Sequence, residues 1–170
     1  MLFLKLLQAI VKALNSEGTP GQVAVGMALG AALGLTPIGN LHNLLVVLLA
    51  LILNVSLPGF MLGWSLFVPI GFLLDPVFDA IGNALLGAPG LATLWTKLAN
   101  TPVLPFTNFN NSVVLGSLVF WVLAWVPIFL LASWGVRRYR ETIYLKLQQT
   151  RAFQAVKASF LYNMYTWFRP

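Results

Sequence analysis

From Gly18 to Leu74 the chain contains no Asp, Glu, Lys or Arg and only one histidine, His42. A stretch like this cannot present a solvated face, because a soluble domain carries roughly a quarter charged residues. The whole chain has 170 residues, of which 59% are hydrophobic and 8% charged. It is therefore expected to be an integral membrane protein with one membrane domain. Within the uncharged stretch sits Thr36-Pro37-Ile38-Gly39-Asn40-Leu41-His42-Asn43. A helix breaker followed by polar groups is costly in hydrocarbon, and such backbone persists only when buried in protein or lining a water-filled cavity. This block is the first candidate for a working site.

Charge divides the chain further. The net charge of +6 is concentrated near the end, where Arg137, Arg138, Arg140, Lys146, Arg151, Lys157 and Arg169 face a single acid, Glu141. A basic tail directly after an apolar span obeys the positive-inside rule and suits contact with anionic lipid at Arg137, Arg138 and Arg140. That reading leaves no call for nucleic acid as a partner. There are no cysteines, which excludes disulfides and thiolate metal sites.

Periodicity gives an all-α organisation. Phe3, Leu6, Leu7, Ile10 and Leu14 recur at helical spacing, so residues 1–17 form an expected interfacial amphipathic helix, retained rather than cleaved. Residues 18–136 form the membrane domain and 137–170 a basic amphipathic tail. The segment 21–35 is apolar but only about 22 Å long as a helix, against a hydrocarbon core of about 30 Å. It carries Gly26, Gly30 and Gly34 at four-residue spacing, a groove that admits close approach of another helix. Residues 41–57 follow as a near-span, with Pro58-Gly59 as the next expected turn. Residues 60–74 are again short and hold Pro69, where Pro69-Ile70-Gly71-Phe72-Leu73 echoes Pro37-Ile38-Gly39-Asn40-Leu41 at an offset of 32 residues. Two such breaks at corresponding places are a transporter-like pattern. Residues 113–134 are the clearest transmembrane span, with a kink expected at Pro127.

These lengths predict short helices broken at Pro and Gly. About four crossings fit, or one re-entrant hairpin plus crossings, with amphipathic helices at both ends. Both termini are expected in the cytoplasm and the Asn-rich loop 100–112 outside.

Candidate chemistry is sparse. His42 could accept or relay a proton, with Thr36, Asn40 and Asn43 nearby in sequence. Asp75 and Asp79 share one helical face, and Pro76 at a first helical position makes Asp75 an expected N-cap. The two acids could hold a cation, but no further ligands support a metal site, and neither a nucleophile elbow nor a phosphate loop is present. No cofactor is implied.

The order of these features resembles a family of uncharacterised bacterial membrane proteins: a glycine-rich apolar segment, Leu35-Thr36-Pro37-Ile38-Gly39-x-x-His42-Asn43-Leu44, an apolar span, Pro69, then Leu74-Asp75-Pro76-x-x-Asp79 and Gly82. That family shares a domain of unknown function marked by a Pro-x-Gly element after a glycine-rich helix, and the likeness covers roughly residues 18–90. Some wider relatives look like stand-alone proteins and others are fused to glycosyltransferases. The branch most like this chain occurs in bacteria with outer membranes, often in a two-gene pair with a larger envelope protein. The wider domain often has Gln where His42 stands and Asn-Pro where Asp75-Pro76 stand, which argues against universal acid–base chemistry.

The resemblance and the broken helices imply a non-enzymatic inner-membrane protein supporting envelope biogenesis or lipid traffic. Its expected partners are membrane lipid and a larger envelope protein encoded nearby, and a homo-oligomer is compatible. The binding residues would be Thr36, Pro37, Gly39, Asn40, His42, Asn43, Asp75 and Asp79. The alternatives are a small-solute transporter or channel with its site at the two Pro-Ile-Gly elements, and a lipid-modifying enzyme using His42 and the two acids.

Overall fold

The computed structural model describes Leu14 and residues 18–144. Among the described residues the fold is all-helical. The helices are α1 (Pro20–Leu35), α2 (Leu41–Ile52), α3 (Leu57–Leu86), α4 (Ala92–Ala99) and α5 (Ser112–Arg138), with short 3₁₀ turns on either side of α4 and a π-helical turn at Tyr139–Tyr144. α3 and α5 are long and apolar enough to cross a membrane, whereas α1 and α2 are shorter apolar helices.

Each start has a local cause. Thr19 and Gln22 form a reciprocal capping box, with Gln22 N–H donating to Thr19 Oγ1 at 3.2 Å and Thr19 N–H to Gln22 Oε1 at 2.7 Å. Two otherwise orphaned donors are thereby satisfied, and Pro20 enters at a position where its missing N–H costs nothing. α1 ends where Thr36 turns extended and Gly39 takes φ +102°, a conformation that glycine accepts readily and L side chains do not. Ser56 starts α3 by accepting from Gly59 N–H at 3.1 Å, and Asn111 starts α5 by accepting from Val114 N–H at 3.1 Å.

The packing fixes helix direction. Gly26 lies against Ser56 and Phe60, Gly30 against Phe60 and Trp64, and Gly34 against Trp64 and Phe67. Residue numbers rise together along both helices, so α1 and α3 run parallel. The contact is reciprocal, since Gly59 sits on Val23, Gly63 on Met27, and Gly71 on Gly34 and Leu35. Backbone meets backbone here, the mode that small residues at four-residue spacing permit. A parallel pair needs a return path, which α2 supplies. Its far end delivers Ser56 back to the start of α1, where Ser56 N–H donates to the Gln22 carbonyl at 3.2 Å.

α5 closes the bundle in the opposite direction. Gly82 lies on the Ser112 backbone, Gly116 on Phe78, and the Trp121 indole N–H donates to the Ala28 carbonyl at 2.9 Å. Beyond Arg138, Arg140 reaches the carbonyls of Leu14 (3.0 Å) and Gly18 (2.8 Å). α1 is thus enclosed by its neighbours, with Val23, Ala24, Ala28 and Ala31 fully buried.

Several local expectations are corrected. Pro69 does not break a helix, because α3 runs unbroken through both Pro69 and Pro76. A proline removes one backbone donor, but neighbouring helices sustain the segment in an apolar setting, and α3 has α1 and α5 packed along it. Asp75 is accordingly mid-helix rather than an N-cap. Residues 41–57 are no near-span, since α2 stops at Ile52 and the turn falls at 53–56. Pro58 opens α3 instead of marking a turn, as proline can in a first helical turn. The expected amphipathic helices at the two ends, Leu14 apart, lie outside the described residues, as does the tail after Tyr144.

Candidate functional site

The chain leaves α1 through Pro37, and the two asparagines of the break are organised around that residue's carbonyl. Asn40 donates its side-chain amide to the Pro37 oxygen at 2.7 Å, and Asn43 does the same at 2.8 Å. Asn40 holds the N-cap position of α2 yet makes no cap bond with its side chain. Its remaining oxygen accepts from the Asn108 amide in the loop before α5. Asn108 reaches this position with φ +54°, a left-handed conformation that asparagine tolerates better than most residues. The two asparagines of the break therefore hold its shape and tie down the Asn-rich loop.

His42 is different. It stands in the first turn of α2, is 9% exposed, and faces the backbone of Thr107 outside hydrogen-bonding geometry. Both ring nitrogens and the Asn43 Oδ1 are buried without a hydrogen-bond partner. Buried polar atoms are normally satisfied, so three together on adjacent residues set this corner apart from the rest of the bundle.

On the other side of Pro37 a cleft of about 290 Å³ opens between the end of α1 and the middle of α3. Leu33, Gly34, Leu35, Thr36, Pro37 and Ile38 form one wall, and Val68, Gly71, Phe72 and Asp75 the other. The lining is apolar apart from Thr36 and Asp75. The cleft exists because α1 ends at Leu35 while α3, in parallel contact up to Gly71, continues past it. None of the lining residues is basic.

The sequence-derived residues thus form two groups, with the others placed apart from both. Thr36, Pro37 and Asp75 share the cleft, and Asn40, His42 and Asn43 form the polar corner behind it. Gly39 supplies the turn, and nothing lies within 4 Å of where its Cβ would be. Asp79 joins neither group: its carboxylate accepts from the Ser112 hydroxyl at the start of α5. A negative charge at a helix N-terminus is favourable, so Asp79 serves the α3–α5 junction, and it is not among the residues that line the cleft with Asp75. Gly26, Gly30 and Gly34 lie along the α1–α3 contact. Arg137 and Arg138 are exposed in the last turn of α5, at the opposite end of the bundle from Asp75.

Sequence reasoning missed Val68 and Phe72 as cleft residues, and Asn108 as a clamp. The second half of the glycine contact, Gly59, Gly63 and Gly71, was readable from its spacing of four and eight residues. A second hollow of about 410 Å³ lies at the basic end, lined by Leu14, Met27, Phe67, Ile128, Leu131, Ala132, Gly135 and Val136, all apolar. It offers no group for chemistry.

An uncharacterized protein of Treponema pallidum (strain Nichols) is 27% identical over 154 residues, which is 91% of this chain and 95% of that protein. No solved structure matches. The family described as an uncharacterized protein conserved in bacteria (DUF2062) matches residues 5–143. The chain belongs to the DUF2062 family.

Proposed function

We propose that this chain is a non-enzymatic, multi-pass protein of a bacterial inner membrane that binds membrane lipid and supports envelope biogenesis or lipid traffic beside a larger partner. The observation that carries the reading is the cleft at the end of α1: long apolar walls with Thr36 and Asp75 among them suit an amphiphile. A water-soluble substrate would call for more convergent polar groups.

The membrane assignment draws support from where the apolar side chains point. Only 28% of the apolar window of α3 and 22% of that of α5 is buried, whereas the central helix of a soluble protein would be largely covered. Leu123, Leu131, Phe72 and Leu73 are each at least two-thirds exposed, and large contiguous apolar surfaces mark contact with membrane or partner. The alternating directions of α1, α2, α3 and α5 favour four passes, with both ends of the domain on one side. On this reading Arg137, Arg138 and Arg140 are cytoplasmic. The stretch 57–74 is uncharged and about 27 Å long as a helix, close to a hydrocarbon core of about 30 Å. Asp75 then lies at the outer edge of the bilayer, level with Thr36, and the break is a surface turn instead of a notch at mid-depth.

The transporter reading rested on paired breaks, and it loses that motive because α3 continues through Pro69. The test is purification of the full chain from native membranes, followed by identification of retained lipid and of the product of the neighbouring gene. Retained phospholipid together with a raised envelope permeability on deletion is expected. A lipid-free protein whose deletion leaves the envelope intact would overturn the reading. The chain has no cysteine, so single cysteines at Asn110 and Arg138 test topology directly. They should be labelled from opposite faces.

A further inference from the structure

The cleft has a sign. Asp75 makes no ion pair and no hydrogen bond among the described residues, and no Lys or Arg lines the space it faces. The end of α1 adds to its negative character. The last carbonyls of a helix carry the negative pole of its dipole, and α1 has no basic residue in its last turn to offset that. Pro37 has no N–H to offer the Leu33 carbonyl four residues earlier. No backbone donor from the turn serves the Gly34 or Leu35 carbonyl either. One acidic residue and a helix end whose last carbonyls receive no backbone donor from the turn therefore line an otherwise apolar cleft.

We propose that the cleft binds a phospholipid whose headgroup carries a primary ammonium, with Asp75 as its counter-charge and the α1 terminus as its hydrogen-bond acceptor. This rests on the lipid-binding reading above and gives it a headgroup class. A primary ammonium has three N–H donors, which matches one carboxylate plus carbonyl oxygens. A quaternary ammonium has no donor to offer them and relies on aromatic faces, of which the cleft has only Phe72. A divalent cation requires six or more oxygens, and the walls are apolar. Ile38, whose N–H makes no backbone hydrogen bond, and Thr36 line the same cleft and would supply donors to the phosphate next to the ammonium. Val68 and Phe72 provide the apolar wall along which an acyl chain would lie.

The experiment uses the full chain in nanodiscs or vesicles, each containing phosphatidylethanolamine, its N-monomethyl and N,N-dimethyl derivatives, phosphatidylcholine or phosphatidylglycerol, with bound lipid read by native mass spectrometry. Wild type should retain phosphatidylethanolamine about tenfold or more over phosphatidylcholine, the worth of one charge-assisted hydrogen bond. Retention should fall stepwise with each N-methyl group. Asp75→Asn should abolish the preference while still binding phospholipid, and Asp75→Glu should restore part of it. Equal retention across the N-methyl series in wild type would overturn the proposal even if Asp75→Asn failed to fold. An unchanged preference in folded Asp75→Asn would overturn it too. Displacement of the lipid by glycerophosphoethanolamine at equal concentration would assign the site to a free amine and refute a lipid ligand. Failure to retain phospholipid of any headgroup would instead remove the underlying lipid reading.

Discussion

The Asn108 side chain donates to the side chain of Asn40, joining positions 68 residues apart. Because Asn40 also donates to the Pro37 carbonyl, one bond couples the loop before α5 to the turn after α1. Asn40→Ala and Asn108→Ala should each destabilise the protein, and the double variant should cost less than the sum. A coupling of about 0.5–1.5 kcal/mol is expected for one neutral hydrogen bond. A double-mutant cycle on thermal unfolding in detergent measures it, and strict additivity would show that the two amides are independent.

His42→Leu should leave the fold intact and raise its stability. Both imidazole nitrogens are buried without partners, and replacing unsatisfied polar atoms by an apolar side chain of similar size removes a desolvation cost of about 1–3 kcal/mol. A higher melting temperature together with a deletion-like envelope phenotype would identify the histidine as kept for function at the expense of stability. A lower melting temperature would instead reveal a structural partner for the ring.

At Gly30 a Cβ would overlap the Phe60 carbonyl oxygen, and at Gly63 the Met27 carbonyl. Gly30→Ala and Gly63→Ala should therefore force α1 and α3 apart and cost about 1–3 kcal/mol each, as overpacking does. Gly135→Ala is the control, since nothing lies within 4 Å of its Cβ position. Within helix α5 it should be neutral, or stabilise by about 0.5–1 kcal/mol through backbone entropy. Melting temperatures of the three variants should separate accordingly.

Proline and glycine of the two Pro-Ile-Gly elements should respond oppositely to substitution. Pro69→Ala restores a helical donor inside α3 and should be neutral or stabilising. Gly39→Ala forces an alanine to φ +102° in open space and should cost about 1–2 kcal/mol from the backbone alone. Chemical unfolding of the two variants tests the contrast. A severe loss on Pro69→Ala would mean that α3 is discontinuous after all.

The helical class, the long apolar helix α5 and the break at Pro37–Gly39 are legible in the chain because each is local. Hydropathy over a window and the chemistry of proline before glycine carry them. Pro69 misleads for the same reason. Its local signature matches that of Pro37, but the outcome depends on whether a positive φ follows, and that depends on packing that no five-residue motif encodes. The two elements are not matched in space either: in the parallel pair of α1 and α3, Gly71 rests on Gly34 and Leu35, and not on Gly39. Asp79 and Ser112 stand 33 residues apart and their bond could not be read at all. The same holds for the cleft, whose second wall of Val68, Gly71, Phe72 and Asp75 comes from another helix.

The parallel contact between α1 and α3 also dictates an order of assembly. Every backbone contact that Gly26, Gly30 and Gly34 make with α3 reaches forward to residues 56–71, none of which has been synthesised when α1 itself is complete. The glycine face must wait through the whole of α2 before its complement is synthesised, and α2 must already have reversed the chain for the two faces to meet in register. Nascent chains arrested after Ile52 should thus hold α1 without its partner. Quality-control proteases would meet that intermediate first, and chains extended beyond Leu74 should escape them.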